Sequence, residues 1–352
     1  MQKFNEVTID SLRSIIFLCG THYRERDIKD KRNVLKKYLC DEYPALNVLI
    51  LEEHFVFGKK RGYLSYDNIF MKNLNDIEEM TAAFSDGIII IHDSISTGAE
   101  LAAFASNDFL EDKICVLEPD STGIEERKIS AFLELAYFGD DSKIERITYY
   151  PEVYSFEISS KHIEKRTNFA KNMITPVLGS KINKFVSRCN KELSIRFEKM
   201  ICRKINRERG VISYAIDNSK LLVYVSGQVV LYQMMGLFTD GEVKKELREK
   251  RKLYQYVDYL HSLYRKVLCS TIQEKVVEDI KDIEVIEKET NKEVRDVIAY
   301  SLYMLQALGV ISIHKEHELN RIAFKKDAFE LLKDFQSIIG HREDDILELL
   351  NE

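Results

Sequence analysis

Phe84-Ser-Asp-Gly-Ile-Ile-Ile-Ile-His-Asp-Ser-Ile-Ser-Thr-Gly-Ala-Glu-Leu-Ala-Ala-Phe104 decides the fold. The four isoleucines, Ile88 to Ile91, lack the alternation of a half-wet strand and read as a strand buried on both faces. A polar turn follows, and then a helix-like run of small and apolar residues. Ser14 to Cys19, Asn47 to Leu51 and Lys113 to Leu117 have the same buried-strand character. Helix-period stretches, Asp27 to Tyr43, Tyr66 to Phe84, Ala99 to Phe109 and Gly123 to Tyr137, lie among them. This alternation predicts an α/β domain over residues 1–155, built on a doubly wound parallel sheet.

Past Pro151 the pattern changes. Residues 156–272 read as a helical region, interrupted near Gly210, Gly227 and Thr239-Asp240-Gly241. Residues 273–352 then outline a winged-helix-like module: a helix from Glu293 to Ala307, a strand Val310 to Ile313, a polar tip His314 to Asn320 and a returning strand Arg321 to Phe324. His314 and His317 sit at that tip beside Glu316 and Glu318. Without a third and fourth ligand in view they read as solvent-exposed, and no metal is expected.

The chain has 352 residues, 45% of them hydrophobic, enough for two or three domains. Its formal charge of -6 argues against wholesale wrapping of nucleic acid, so any such contact must be local. One segment fits: Lys181 to Arg209 holds ten Lys and Arg against three acids. Its candidate phosphate contacts are Lys184, Arg188, Arg196, Arg203, Lys204, Arg207 and Arg209, against the blander reading of a solvated basic helix. The six cysteines form no C-x-x-C pair, as expected of a reduced cytoplasmic protein. No run approaches the roughly 20 apolar residues of a membrane span, and the N-terminus has no signal-peptide core.

In an open α/β sheet, ligands bind beyond the carboxyl ends of the strands, where the His92 to Ser96 turn falls. A carboxylate in the first turn of the following helix is favoured in its charged form by the helix dipole, which makes Glu100 a candidate nucleophile. The rival reading is local: Thr97-Gly98-Ala99-Glu100 has the spacing of a capping box, in which Glu100 folds back onto the N-cap amide. Asp93 follows the strand directly, and Asp67 with Asn68 opens the preceding helix. A second carboxyl at a ribosyl C1′ would protonate the departing base or orient the sugar. Turn formation and helix capping are the competing roles for Asp93 and Asp67. Cys19, Gly20 and Thr21 end the first strand at the same edge and, with Asn68, Ser96, Thr97 and Gly98, complete the candidate substrate-binding set. There is no G-x-G-x-x-G, no P-loop and no G-x-S-x-G elbow, so no resident cofactor is expected and a serine hydrolase is excluded.

At these residues the chain resembles the nucleoside deoxyribosyltransferase-like effectors of bacterial retrons. The matching features are Ile16-Phe-Leu-Cys-Gly20, Arg32, Leu51-Glu-Glu-His-Phe55, Ser65-Tyr-Asp-Asn-Ile69 and Ser96-Thr-Gly-Ala-Glu-Leu-Ala-Ala-Phe-Ala-Ser106. The resemblance implies a toxin that cleaves the N-glycosidic bond of NAD or a related nucleotide as substrate, with Glu100 as nucleophile and Asp93 as the upstream acid. It further implies that a reverse transcriptase and its multicopy single-stranded DNA hold the toxin silent, and it admits a homo-oligomer or higher assembly. The turn here reads Asp93-Ser-Ile-Ser-Thr-Gly-Ala-Glu100, whereas the small metabolic transferases carry a D-S-G-T-x-x-E-like turn, which leaves substrate and acceptor open. Two other functions stay open on the sequence: a metabolic nucleoside deoxyribosyltransferase, and a non-catalytic nucleotide-sensing, DNA-binding regulator in which Glu100 is only a cap.

Overall fold

The computed structural model describes residues 2–9, 14–20, 23–54, 71, 73–120, 131–159, 162–189, 192–316, 319–325 and 328–340. Strands β1 (Lys3–Phe4) and β2 (Val7–Ile9) open the chain, followed by β3 (Ile15–Gly20), α1 (Lys31–Glu42), β4 (Asn47–Leu49), α2 (Leu51–His54) and α3 (Leu74–Phe84). Next come β5 (Gly87–Ile91), α4 (Ile95–Ala105), β6 (Ile114–Pro119), α5 (Ala131–Tyr137) and β7 (Glu145–Tyr149). The hairpin β8 (Pro151–Ser159) and β9 (His162–Phe169) leads to α6 (Pro176–Cys189).

The parallel sheet expected from the buried runs is present. Its order is β4-β3-β5-β6-β7 and every pairing is parallel. Every residue of β5 is buried, as its unbroken isoleucines require. At the amino edge, Asp86 clamps two strands: its Oδ2 accepts the Ile15 N–H and its own N–H donates to the Ile15 carbonyl, both at 2.8 Å. Ile16 and Leu18 face a core that includes Leu35 and Leu39 of α1 and Ile182, Phe185 and Val186 of α6. Phe17, on the opposite face, packs edge-on against Phe104 of α4, with ring centroids 6.1 Å apart. Helices thus cover both faces of the sheet.

The stretch ending at Phe84, α3, groups by its contacts with a different unit from this sheet. Residues 13–55 and 85–191 form one unit, whereas residues 1–12, 56–84 and 192–352 group into another. The ranges read from the sequence, 1–155, 156–272 and 273–352, run in series, whereas these two units interleave along the chain. Helix α6, from the segment assigned to the helical region, packs on the parallel sheet.

The second unit contains β10 (Leu193–Lys199), β11 (Val211–Asp217), β12 (Lys220–Val225), α7 (Gly227–Leu237), α8 (Gly241–Glu249), α9 (Leu253–Gln273), β13 (Asp282–Glu287) and α10 (Val294–Ala307). It closes with β14 (Ile311–Glu316), β15 (Leu319–Phe324), α11 (Ala328–Lys333) and β16 (Ile339–Gly340). A mixed sheet, β13-β12-β11-β10-β2, replaces the helix expected over much of residues 190–225. Leu193, Ile195 and Phe197 alternate with Ser194, Arg196 and Glu198, a period of two that marks a half-buried strand. Helix α7 is buried along its whole length. On α3, Phe84 packs on Gly227 and on Tyr300 of α10, while the Thr81 hydroxyl lies 2.5 Å from the Tyr300 phenol. The antiparallel hairpin β14–β15 follows α10 as the sequence predicts, with strands longer than expected. His314 belongs to β14, and His317 lies outside the described residues.

Gly210 sets the start of the β10–β11 pairing, where a Cβ would come within 2.0 Å of the Ser194 carbonyl oxygen. Because backbone must move to admit a methyl group there, Gly210→Ala is expected to lower stability by about 1–3 kcal/mol or more. Urea denaturation reads this directly, and an unchanged midpoint would contradict the close approach.

Candidate active site

The carboxyl end of β5 makes one further sheet hydrogen bond, from His92 N–H to the Leu117 carbonyl at 2.8 Å, and then turns into α4. Ser94 is the N-cap, its Oγ accepting the Thr97 N–H at 3.3 Å. The Thr97 hydroxyl closes the box. It accepts the N–H groups of Asp93 and Ser94, both at 3.2 Å, and donates to the Ser94 carbonyl at 2.9 Å. The helix therefore begins at Ile95, and the capping box is Ser94 with Thr97 rather than Thr97 with Glu100.

This corrects the placement of Glu100 twice over. It is not the capping acid, and it stands in the second turn of α4, where the helix dipole contributes less than in the first. Its side chain is half-buried, with Oε2 shielded from solvent. Of the other turn residues, Thr97 is buried and its hydroxyl is engaged by the backbone. A Cβ at Gly98 would meet Leu133 Cδ1 at 3.2 Å and His92 Cε1 at 3.5 Å, so that glycine serves the packing of α4. Ser96 is exposed, 2.8 Å from the Ser94 hydroxyl, and its place admits a ligand contact.

Asp93 is held by a residue the sequence reading passed over. Lys31, at the first position of α1, places Nζ 2.6 Å from Asp93 Oδ2. The same ammonium donates to Tyr149 Oη at 3.2 Å and to Thr167 Oγ1 at 3.0 Å. All of these groups sit at the carboxyl edge of the parallel sheet or beside it. Burial works against the charge on Lys31, but Tyr149 and Asp93 more than offset it and raise its pKa. Burial in turn raises the Tyr149 phenol, which stays protonated near neutrality and leaves Asp93 as the counter-charge. An ammonium this close favours the carboxylate form, so Asp93 is suited to accepting hydrogen bonds rather than delivering a proton. His92, buried beside it, has its pKa lowered by desolvation.

The neighbouring Arg32 is buried too. Its Nη1 donates to both Glu52 oxygens at 3.0 Å, and its guanidinium lies 4.9 Å from the Tyr23 ring centre. Gly20 makes room for this stem, since a Cβ there would sit 3.3 Å from Arg32 Cδ. Gly20 in turn pairs with Ile91 at the end of β5, while Cys19 is buried within β3. A third cation, Arg146 on β7, bridges Glu118 of β6 at 2.5 Å and Glu134 of α5 at 2.8 Å. Thr21, Asp67 and Asn68 lie outside the described residues.

The basic candidates do not form one helical face. Lys184 and Arg188 are on α6, Arg196 is on β10, and Arg203, Lys204, Arg207 and Arg209 follow β10 in the connection to β11. Several already have acidic partners: Arg188 with Glu145 at 3.2 Å, Arg196 with Glu208 at 2.6 Å, and Arg203 with Asp217 at 3.5 Å. Among the described residues no group of three or more His, Cys, Asp or Glu could hold a metal ion, and no helix is long and apolar enough to cross a membrane.

A parallel α/β sheet whose strand-to-helix turn presents Asp93 at its carboxyl edge, with Glu100 in the second turn of the helix that follows, defines the class: an α/β protein with an acidic candidate site. The chain belongs to the family of the STM3845 retron effector protein, whose family model matches residues 28–338, and it is thereby a retron effector. No curated protein matches the chain.

Two measurements test this geometry. Lys31→Met removes the ammonium from a largely buried carboxylate and is expected to cost about 3–5 kcal/mol of stability. Adding Asp93→Asn should recover part of that loss, and a double variant no more stable than Lys31→Met would refute the pairing. For His92, a folded pKa below the unfolded value of about 6.5 means that unfolding takes up a proton. Its stabilising effect is complete above that unfolded value and is lost as pH falls towards the folded one. His92→Asn should accordingly lose less stability than the wild type between pH 7 and pH 5, and equal losses would argue against burial as the neutral imidazole.

Proposed function

We propose that this retron effector is a toxin of anti-phage defence that cleaves the N-glycosidic bond of NAD or a related nucleotide. The observation that carries the reading is the Ser94–Thr97 box. With the α4 N-terminus capped there, Glu100 is not required as a cap and is held instead on a rigid helix behind the substrate-facing turn. Its carboxylate attacks the ribosyl C1′, the C1′–N bond breaks with its electron pair leaving on the base, and water hydrolyses the glycosyl ester. Asp93, fixed by Lys31, accepts hydrogen bonds from the ribose hydroxyls. When the leaving group is nicotinamide it departs neutral and needs no proton, which suits a site whose second carboxylate is ion-paired.

The α/β unit acts in this reading as a nucleoside deoxyribosyltransferase-like domain. The β14–β15 hairpin after α10 serves as the wing of a winged-helix-like element, and the exposed residues Arg203, Lys204 and Arg207 offer phosphate contacts. A reverse transcriptase with its multicopy single-stranded DNA keeps the toxin silent, which explains why an acidic chain carries a local basic segment.

The test is to compare cells expressing the wild type with cells expressing Glu100→Gln, which removes the charge at nearly constant size. Wild type alone should deplete NAD or nucleotides and arrest growth, and coexpression of the cognate reverse transcriptase and DNA should restore growth. Equal pools and equal growth with both proteins, at matched soluble levels, would overturn the assignment.

A further inference from the structure

Arg32 has an unusual balance of partners. Its side chain is only 4% exposed, and its charge is met on one side by Glu52. Both Glu52 oxygens bind the same nitrogen, Nη1. Nε and Nη2 are buried and have no hydrogen-bond partner among the described residues. Leaving two guanidinium donors dry and unpaired costs more than any ordinary surface arrangement, so such a group calls for an explanation.

The two nitrogens are not scattered around the guanidinium. Nε–H and Nη2–H lie on one edge and point the same way, which is the side-on fork that accepts two oxygens of a carboxylate or phosphate. The fork is also rigidly held. Glu52 fixes the far nitrogen, Tyr23 lies against the guanidinium face, and Gly20 gives the stem its room. Its place is the carboxyl edge of the parallel sheet: Gly20 pairs with Ile91, one residue before the His92-Asp93 turn, and Arg32 follows Lys31, which holds Asp93.

We propose that the Nε–Nη2 edge of Arg32 binds the phosphate of the substrate, so that the site takes a phosphorylated nucleotide, as a monophosphate or within a pyrophosphate, in preference to a nucleoside. The inference rests on the glycosidase reading for what happens to the ligand, but not for the binding itself. Glu52 acts as a positioning residue that orients the fork while occupying the nitrogen that the phosphate does not use. Two charge-assisted hydrogen bonds of this kind correspond to a preference of at least about tenfold.

Calorimetric titration of the full-length protein with nucleoside 5′-monophosphates and NAD, each against the matching nucleoside or nicotinamide riboside, tests the proposal. Ligand integrity is checked by chromatography afterwards. The phosphorylated ligands should bind at least about tenfold tighter, and Arg32→Lys, which keeps the charge but loses the fork, should remove the difference. A wild-type measurement guards against misfolding of that variant: adding inorganic phosphate should shift the Arg32 Nε–H resonance in nitrogen-correlated spectra. Equal affinities, no binding of phosphorylated ligands at millimolar concentration, a preference that survives Arg32→Lys, or an unmoved Arg32 resonance would each overturn it. Phosphate-dependent binding of ligands that remain uncut would retain Arg32 as the phosphate contact and dismiss the glycosidase reading; cleavage without a phosphate preference would do the reverse.

Discussion

The candidate site depends on the hydroxyl of Thr97. By accepting the N–H groups of Asp93 and Ser94 and donating to the Ser94 carbonyl, it converts the end of a fully buried strand into the start of a helix within three residues. Backbone groups at such a junction lose both sheet and helix partners, and a buried junction is stable only if side chains replace them. The box assigns Thr97 and Ser94 to that task and thereby releases Glu100 from it. Gly98 completes the arrangement by letting α4 settle against His92 and Leu133.

Around that turn the protein concentrates charge where water is scarce. Lys31 and Arg32 both lie in the first turn of α1, where the helix dipole disfavours cations, and both are buried. Each is offset by a specific carboxylate, Asp93 for Lys31 and Glu52 for Arg32, while Arg146 joins Glu118 to Glu134 further along the sheet. Buried ion pairs are poor devices for stability alone, since their desolvation cost rivals their attraction. The pairs of Lys31 and Arg32 lie together at the carboxyl edge of the parallel sheet, beside the His92–Asp93 turn.

The chain builds its two units by interleaving rather than in series. The α/β unit begins after β2 and is interrupted in sequence by α3, which packs on α7 and α10. One face of the sheet is covered by α6, with Arg188 tied to Glu145 of β7. The basic run from Lys181 to Arg209 consequently divides between α6 of one unit and β10 with its following connection in the other.

Much of this was legible in the residues themselves. The unbroken runs at Ile15, Gly87 and Ile114 determined a parallel sheet, because only strands covered on both faces can be apolar throughout, and the hairpin after Gly309 followed from its flanking apolar runs. The β10 strand was equally readable from the alternation of Leu193, Ile195 and Phe197, but the basic residues before and after it resembled a helical face. Other features had no local signature. Ser94-x-x-Thr97 and Thr97-x-x-Glu100 offer competing caps, and the choice was made by where β5 stops pairing with β6. Lys31 and Arg32 look solvated in sequence, although two cations at a helix start against the dipole were a hint. The sequence by itself determined which segments must be buried, since burial follows from local apolarity; the tertiary structure alone decided which helix covers which sheet and which charges meet, because those depend on distances between residues far apart in the chain.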